Sequence, residues 1–378
     1  MSVIQEFSFK PKLETLILFS DISVDTDDLM ALLYIIKMRW YNILIVCGGK
    51  DPIMKARYAK GVINKIMTNK QYRHIQVLAG SDCNVKEPIL PHQFFNLPFE
   101  LEEEEKIEAD WFEKIEKYLT LSERKFHCLV IGPMTDFKEL LTKLPELCQI
   151  KFGKICLMSD VKEKDSVIDM SKGYPTFASA NNATFDSESS EEAYRLLYKN
   201  NYFSQTIIVS SFATAKAKVG FDFYQNLLYR SDNSIARIFL DKQEASLFHL
   251  WQRCLAPRGS ILRGSLPDNR NAEWFNNVFC SGLIDPNQSN NQNFNPVAYL
   301  ISIGKENVLK FQLYDAIAAH ALLANDKEYQ EYYKPVILGK LHVIGLNPEN
   351  YGIIRPQKVL KSIKEIVIDT LGYYQRSY

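Results

Sequence analysis

Hydrophobic residues fall along the chain in two alternating textures. Short, nearly unbroken apolar runs stop at Gly, Ser or Asp, and segments whose apolar residues recur every three or four positions follow them. The runs at 13–19, 43–47, 75–79, 128–131, 155–158 and 207–209 are rich in β-branched residues and read as strands covered on both faces. The periodic segments at 27–38, 52–68, 103–119, 137–144, 188–198 and 214–229 read as helices. This alternation predicts an α/β fold, a doubly wound, mostly parallel open sheet, with 1–378 forming one domain. The stretch 286–296 is rich in Asn and reads as a flexible insert within it. A helical extension over 357–378 follows, with Val359, Ile363, Ile366, Val367 and Leu371 on one face.

Composition narrows the class without naming a chemistry. With 46% hydrophobic residues in 378, the chain can bury a large core. Its 45 basic and 45 acidic residues cancel, which argues against a nucleic-acid or membrane surface. No apolar run has the length of a membrane span, and residues 1–12 lack the apolar core of a signal peptide. The seven cysteines are scattered with no C-x-x-C pair, as expected of reduced thiols in an intracellular, reducing compartment, by default the cytoplasm. None of the six histidines shows ligand spacing. The acidic run at 102–105 opens the expected helix 103–119 and reads as a solvated face.

Chemistry concentrates where the first strand gives way to the first helix. Between Asp21 and Asp28 the chain reads Asp-Ile-Ser-Val-Asp-Thr-Asp-Asp, four carboxylates in eight residues, with Asp25 or Thr26 as helix N-cap. One such acid would be read as a cap. Four at the carboxyl end of a strand point to a bound cation or to ligand hydroxyls, and hard oxygens without His or Cys suit Ca²⁺ or Mg²⁺ rather than zinc.

The same stretch resembles the signature of the inosine-uridine-preferring nucleoside hydrolase family, D-x-D-x-x-x-D-D followed by an apolar helix. It matches the D-x-D-V-D-T-D-D branch at every fixed position but one, where Ser23 replaces the second Asp. Later strand ends are similar too. Gly48-Gly49-Lys50 resembles a Gly-Asn turn with Lys50 in place of Asn, Leu78-Ala79-Gly80 an A-G segment, and Ile131-Gly132-Pro133-Met134-Thr135-Asp136 the L-G-P-L-T-N segment. Met158 matches a Met beneath the substrate, and Leu313-Tyr314-Asp315 resembles an H-D element whose His is Tyr314 here. The ribose-binding stretch A-E-F-N is altered to Ala183-Thr184-Phe185-Asp186, and an upstream Asn is Ala178. For this stretch an ordinary capped helix entrance is an equal reading.

The resemblance implies a nucleoside-hydrolase-like fold and hydrolysis of the N-glycosidic bond of ribonucleosides, with a carboxylate activating a water held by Ca²⁺. It places the base at Ser23, with Asp27 beside it in the catalytic site. Asp28, Asp315 and the Ile131 carbonyl become metal ligands, and Asp27, Gly49, Met158 and Asp186 substrate contacts. Serine is a poor base and a weak calcium ligand, so Ca²⁺ is expected to bind weakly or not at all. Asp21 or Asp25 stands as a replacement base. The expectation is a catalytically impaired structural or interaction subunit with protein partners in a larger assembly. The alternatives are an active Ca²⁺-dependent ribonucleoside hydrolase and a nucleoside- or ribose-binding module that does not hydrolyse. A homo-oligomer and a nucleoside are further candidate partners; nucleic acid and a membrane span are not.

Overall fold

The computed structural model describes residues 9–373 except 23–25, 38–40, 68–73, 84–96, 98, 179–180, 200–205, 232–233, 265, 267, 289 and 340. The chain divides into two compact units, where the strand–helix alternation predicts a single domain. The described residues of 1–85, 99–217 and 313–378 form the first, and those of 86–98 and 218–312 the second.

The first unit is built on one eight-stranded sheet. Its strands are β1 (Glu14–Ser20), β2 (Tyr41–Gly49), β3 (Ile75–Asp82), β4 (Phe126–Val130), β5 (Phe152–Met158), β8 (Thr206–Val209), β11 (Val336–Leu338) and β12 (Leu341–Ile344). The short pairs β6 (Glu163–Lys164) with β7 (Val167–Ile168) and β9 (Lys218–Gly220) with β10 (Lys310–Gln312) lie outside it. The order is β11-β12-β8-β5-β4-β1-β2-β3, parallel except for β11 on β12. The expected doubly wound, mostly parallel open sheet is therefore what the chain forms. Strands Leu16–Leu18, Ile43–Val46 and Cys128–Val130 are buried throughout, as their unbroken apolar character requires when helices cover both faces.

Chain order reverses between β1 and β4. From β1 the sheet grows one way through β2 and β3, and from β4 the other way through β5 and β8. At such a switch point the loops leaving the two strands part to opposite faces and open a crevice at the carboxyl edge. Phe19 pairs with Val46 on one side and Val130 on the other, so Ser20, Gly48 and Ile131 emerge there together.

Two helices carry the site into this crevice. Thr26–Ile36 is buried along its whole length, consistent with its nearly all-apolar sequence, and packs on Tyr314–Leu323, which is equally apolar. The C-terminal helix Pro356–Tyr373 covers both: Thr370 Oγ1 donates to the Leu33 carbonyl at 3.1 Å, and Lys37 pairs with Asp369 at 2.5 Å.

Two local expectations need correction. The acidic run is not the start of a long helix, because Lys106 bridges back to Glu102 and Glu103 and closes a single 3₁₀ turn at Glu104–Lys106; the helix begins only at Trp111. The expected helix 214–229 is interrupted, with Ser211–Lys216 helical, β9 next, and a new helix Phe221–Ser231. The stretch 286–296 belongs to the second unit, where Asp285 and Asn291 accept from the backbone N–H two residues on and Trp251 Nε1 donates to the Asn291 carbonyl at 3.1 Å. That unit is centred on the helix Ser234–Leu255, which packs with Phe221–Ser231, Ala272–Phe279 and Pro296–Ser302.

Candidate functional site

Both site helices place acids in their first turn, where backbone N–H groups and the helix dipole favour negative charge. Asp27 and Asp28 open Thr26–Ile36, and Asp315 opens Tyr314–Leu323. Asp28 and Asp315 lie 287 residues apart in the chain, yet one carboxylate oxygen from each of the three acids falls within 4.8 Å of the others, and all three side chains are buried. Three like charges at such separation repel strongly in a low-dielectric site, and a divalent cation offsets that repulsion. The donor set is all hard oxygen, so the residues fit Ca²⁺ or Mg²⁺.

Ser20, the last residue of β1, positions this cluster. Its Oγ donates to Asp28 Oδ1 at 2.5 Å and accepts from the Ile22 N–H at 3.0 Å, so one hydroxyl links the strand, the following loop and a cluster carboxylate. Ile131 and Gly132 N–H both donate to the Phe19 carbonyl, at 2.9 and 3.2 Å, which lays the β4 exit against the β1 exit. A Cβ on Gly132 would lie 2.7 Å from the Asp21 nitrogen, so only glycine allows this approach. The Ile131 carbonyl accepts from Asn182 Nδ2 at 2.6 Å; a carbonyl has a second lone pair to offer a further partner.

On the other flank lie Gly48, Gly49 and Gly80. Gly49 has φ of +88°, and a Cβ there would lie 2.9 Å from Lys55 Nζ and 3.4 Å from Asp21 Cβ. Asp136 Oδ2 fills the space beside Gly48 and Gly80, while Oδ1 accepts from the Ser81 N–H at 2.8 Å. Burial raises the Asp136 carboxyl to about 6, with the Ser81 hydrogen bonds opposing the rise.

The sequence-derived residues are thus placed as follows. Asp27, Asp28 and Asp315 come together, and Gly49 lies beside Asp21. Met158 ends β5, buried, opposite Val209 of β8. Asp186 Oδ2 accepts from Thr135 Oγ1 at 2.6 Å and its Oδ1 from the Ser189 N–H at 3.0 Å, which caps the helix Ser187–Lys199. Burial works to raise this carboxyl, but those hydrogen bonds outweigh it and hold the group below its usual range. Ser23 and Asp25 lie outside the described residues.

Four residues of the site were not singled out from sequence: Ser20, Lys55, Asp136 and Asn182. For Lys55 a signal existed, since it occupies the apolar stripe shared with Ala59, Val62 and Ile66 on the helix Pro52–Ile66. The others are polar residues at loop entrances, whose partners only the tertiary fold supplies.

No family model matches the chain, and no curated protein matches its sequence. Among solved structures it is similar to the type III effector protein XopQ complexed with adenosine diphosphate ribose, at TM-score 0.71 and 19% identity, covering 95% of this chain and 93% of that one. It is also similar to a purine-preferring ribonucleoside hydrolase from Gardnerella vaginalis, at TM-score 0.54 and 12% identity over 95% and 99% of the two chains. The inosine-uridine preferring nucleoside hydrolase from Bacillus anthracis matches at TM-score 0.51 and 12% identity over 94% and 99%. The chain therefore shares the fold of nucleoside hydrolases and of XopQ along nearly its whole length.

Proposed function

We propose that the carboxyl edge of the sheet holds a divalent cation together with the hydroxyls of a ribosyl ligand, and that cleavage of the N-glycosidic bond is impaired. The observation that carries this reading is the convergence of Asp27, Asp28 and Asp315, buried and within 4.8 Å, at the switch point of the sheet. The structural neighbours support the ligand class, since the Gardnerella protein acts on ribonucleosides and XopQ was captured with an adenosine diphosphate ribose.

When bound, the cation supplies charge that orients and polarises oxygen groups of the ligand. The chain's own residues do the rest. Asp28 and Asp315 are the side chains that hold the cation, with the Ile131 carbonyl as a further oxygen. Asp27 accepts hydrogen bonds from ribose hydroxyls. Gly49 keeps the β2 exit low enough for the sugar to approach, and Met158 gives the floor an apolar surface. What is missing is a proton acceptor: Ser23 stands where the hydrolase signature has its base, and a positioned base supplies about 10²–10⁴ in rate.

Calorimetric titration with Ca²⁺ and turnover of inosine, uridine and guanosine test the reading together. Weak Ca²⁺ binding with turnover near background is expected. Ser23→Asp should tighten Ca²⁺ binding and raise turnover, although Thr184, Asp186 and Tyr314 leave recovery partial. Turnover by the unaltered protein at ordinary enzyme rates would sink the impaired-catalyst claim.

A second reading, an interaction subunit, has an observation of its own. Val167, Ile337 and Leu338 expose apolar surface around a cleft of about 430 Å³ beside β11, the outermost strand, and an exposed apolar edge is a template on which another chain can dock. Ile337→Lys should shift the sedimentation of any complex this edge forms while leaving Ca²⁺ binding intact. Unchanged sedimentation of such a complex would remove β11 as its interface.

A further inference from the structure

Lys55 sits in the second turn of the helix Pro52–Ile66, on the face that the helix buries. An ammonium group is normally turned to water along its flexible stem, yet Lys55 is only 6% exposed. Its Nζ donates to the Gly48 carbonyl at 3.3 Å. The β2 exit is shaped around it, since the left-handed Gly49 leaves open a position that Lys55 Nζ flanks at 2.9 Å and Asp21 Cβ at 3.4 Å. Ammonium and Asp21 therefore border one point, and Asp21 follows directly on Ser20, whose hydroxyl holds Asp28. The buried Cys47 thiol beneath this turn lies in the field of Lys55 and of the Asp28, Asp136 and Asp21 carboxylates.

We propose that Lys55 is a built-in countercharge beside the acid cluster: a fixed ammonium at the β2 exit, next to Asp21 and in the field it shares with Asp28, that sets a weak affinity for a divalent cation. The inference rests on the cation reading above and deepens it. A fixed positive charge lowers the negative potential that attracts a dication, and inside a protein the effect is little screened by salt. The same charge is present before any cation arrives. Cation affinity is then set by Lys55 as well as by the ligands themselves.

Calorimetric titration of the full chain with CaCl₂ at pH 8 tests this, comparing the unaltered protein with Lys55→Met, Lys55→Gln, Lys55→Arg and Asp28→Asn. Both neutral variants should bind Ca²⁺ roughly tenfold more tightly or better, while Lys55→Arg keeps the original affinity and Asp28→Asn loses it. Thermal melts establish that each variant folds, and Lys55→Gln carries the comparison if the methionine variant does not. If the neutral variants bind no more tightly than the unaltered protein while Asp28→Asn loses binding, the role of Lys55 is overturned and the cation site stands. If neither the unaltered protein nor any Lys55 variant binds Ca²⁺, both readings fall.

Discussion

Ser20 shows how much a single hydroxyl decides here. It donates to Asp28 and accepts from Ile22, so the carboxylate is fixed in direction before any ligand arrives. Groups that orient a metal ligand from behind typically govern affinity about 10- to 100-fold. Ser20→Ala should accordingly weaken Ca²⁺ binding by roughly tenfold, with a smaller loss than Asp28→Asn, when both are followed by calorimetry. Unchanged affinity in Ser20→Ala would show that Asp28 is held by other contacts. At this scale the sequence was informative about the acids and silent about what holds them. Asp27, Asp28 and Asp315 could be singled out because acids of a recognisable spacing lie at strand and helix junctions. Ser20, Asn182 and Asp136 could not, because a lone Ser, Asn or Asp at a loop entrance reads equally well as a cap.

Elements explain where the resemblance to a hydrolase gives way to ordinary architecture. Asp186 stands in a ribose-binding stretch by sequence, but its two oxygens tie Thr135 to the start of the helix Ser187–Lys199. Losing a cap of this kind costs about 1 kcal/mol, and the Thr135 bond adds to that. Asp186→Ala should therefore lower the urea midpoint while leaving affinity for a ribosyl ligand nearly unchanged. The reverse pattern, intact stability with lost affinity, would return Asp186 to the binding site. In the second unit the decisive residue is Arg263, buried, whose guanidinium donates to the carbonyls of Arg253, Cys254, Ala256, Asp268 and Arg270 at 3.1 to 3.4 Å. Removing it strands the buried Cys254 and Ala256 carbonyls, each worth about 1–3 kcal/mol. Arg263→Met should thus speed amide exchange across 253–270 and leave β1 and β4 protected; equal protection in both proteins would argue that the loop is held without it. No periodicity announced this arrangement, since one Arg serving carbonyls of its own neighbourhood leaves no pattern in the chain.

For the molecule as a whole, the sheet was legible because buried parallel strands are written as unbroken apolar runs, whereas the helix Ser234–Leu255 escaped because its apolar and polar residues are not sorted cleanly to two faces. Burial of ionisable groups is likewise invisible in sequence, and it sets how stability responds to acid. Burial raises Asp136 from 3.8 to about 6, and burial lowers His320 from 6.5 to about 4, in a pocket where its Nδ1 meets the Tyr333 hydroxyl at 2.8 Å. The two act with opposite sign over the same window. Asp136 holds its proton more tightly when folded, so its contribution is present below pH 3.8 and is lost as pH rises through 6. His320 resists protonation when folded, so its contribution is present above pH 6.5 and is lost as pH falls through 4. Each shift of this size corresponds to about 3 kcal/mol, so between pH 4 and 6 they largely offset one another. Asp136→Asn keeps an acceptor for the Ser81 N–H but removes the titration, leaving the His320 limb exposed: urea stability should fall by up to about 3 kcal/mol more than in the unaltered protein as pH drops from 6.5 to 4. His320→Gln should do the opposite and lose stability as pH rises from 4 to 6. The remaining carboxylates titrate alike in all three proteins, so the differences between the profiles isolate these two groups. Parallel profiles for Asp136→Asn and the unaltered protein would mean that Asp136 titrates as an ordinary exposed acid, and its place against Gly48 and Gly80 would have to be reconsidered.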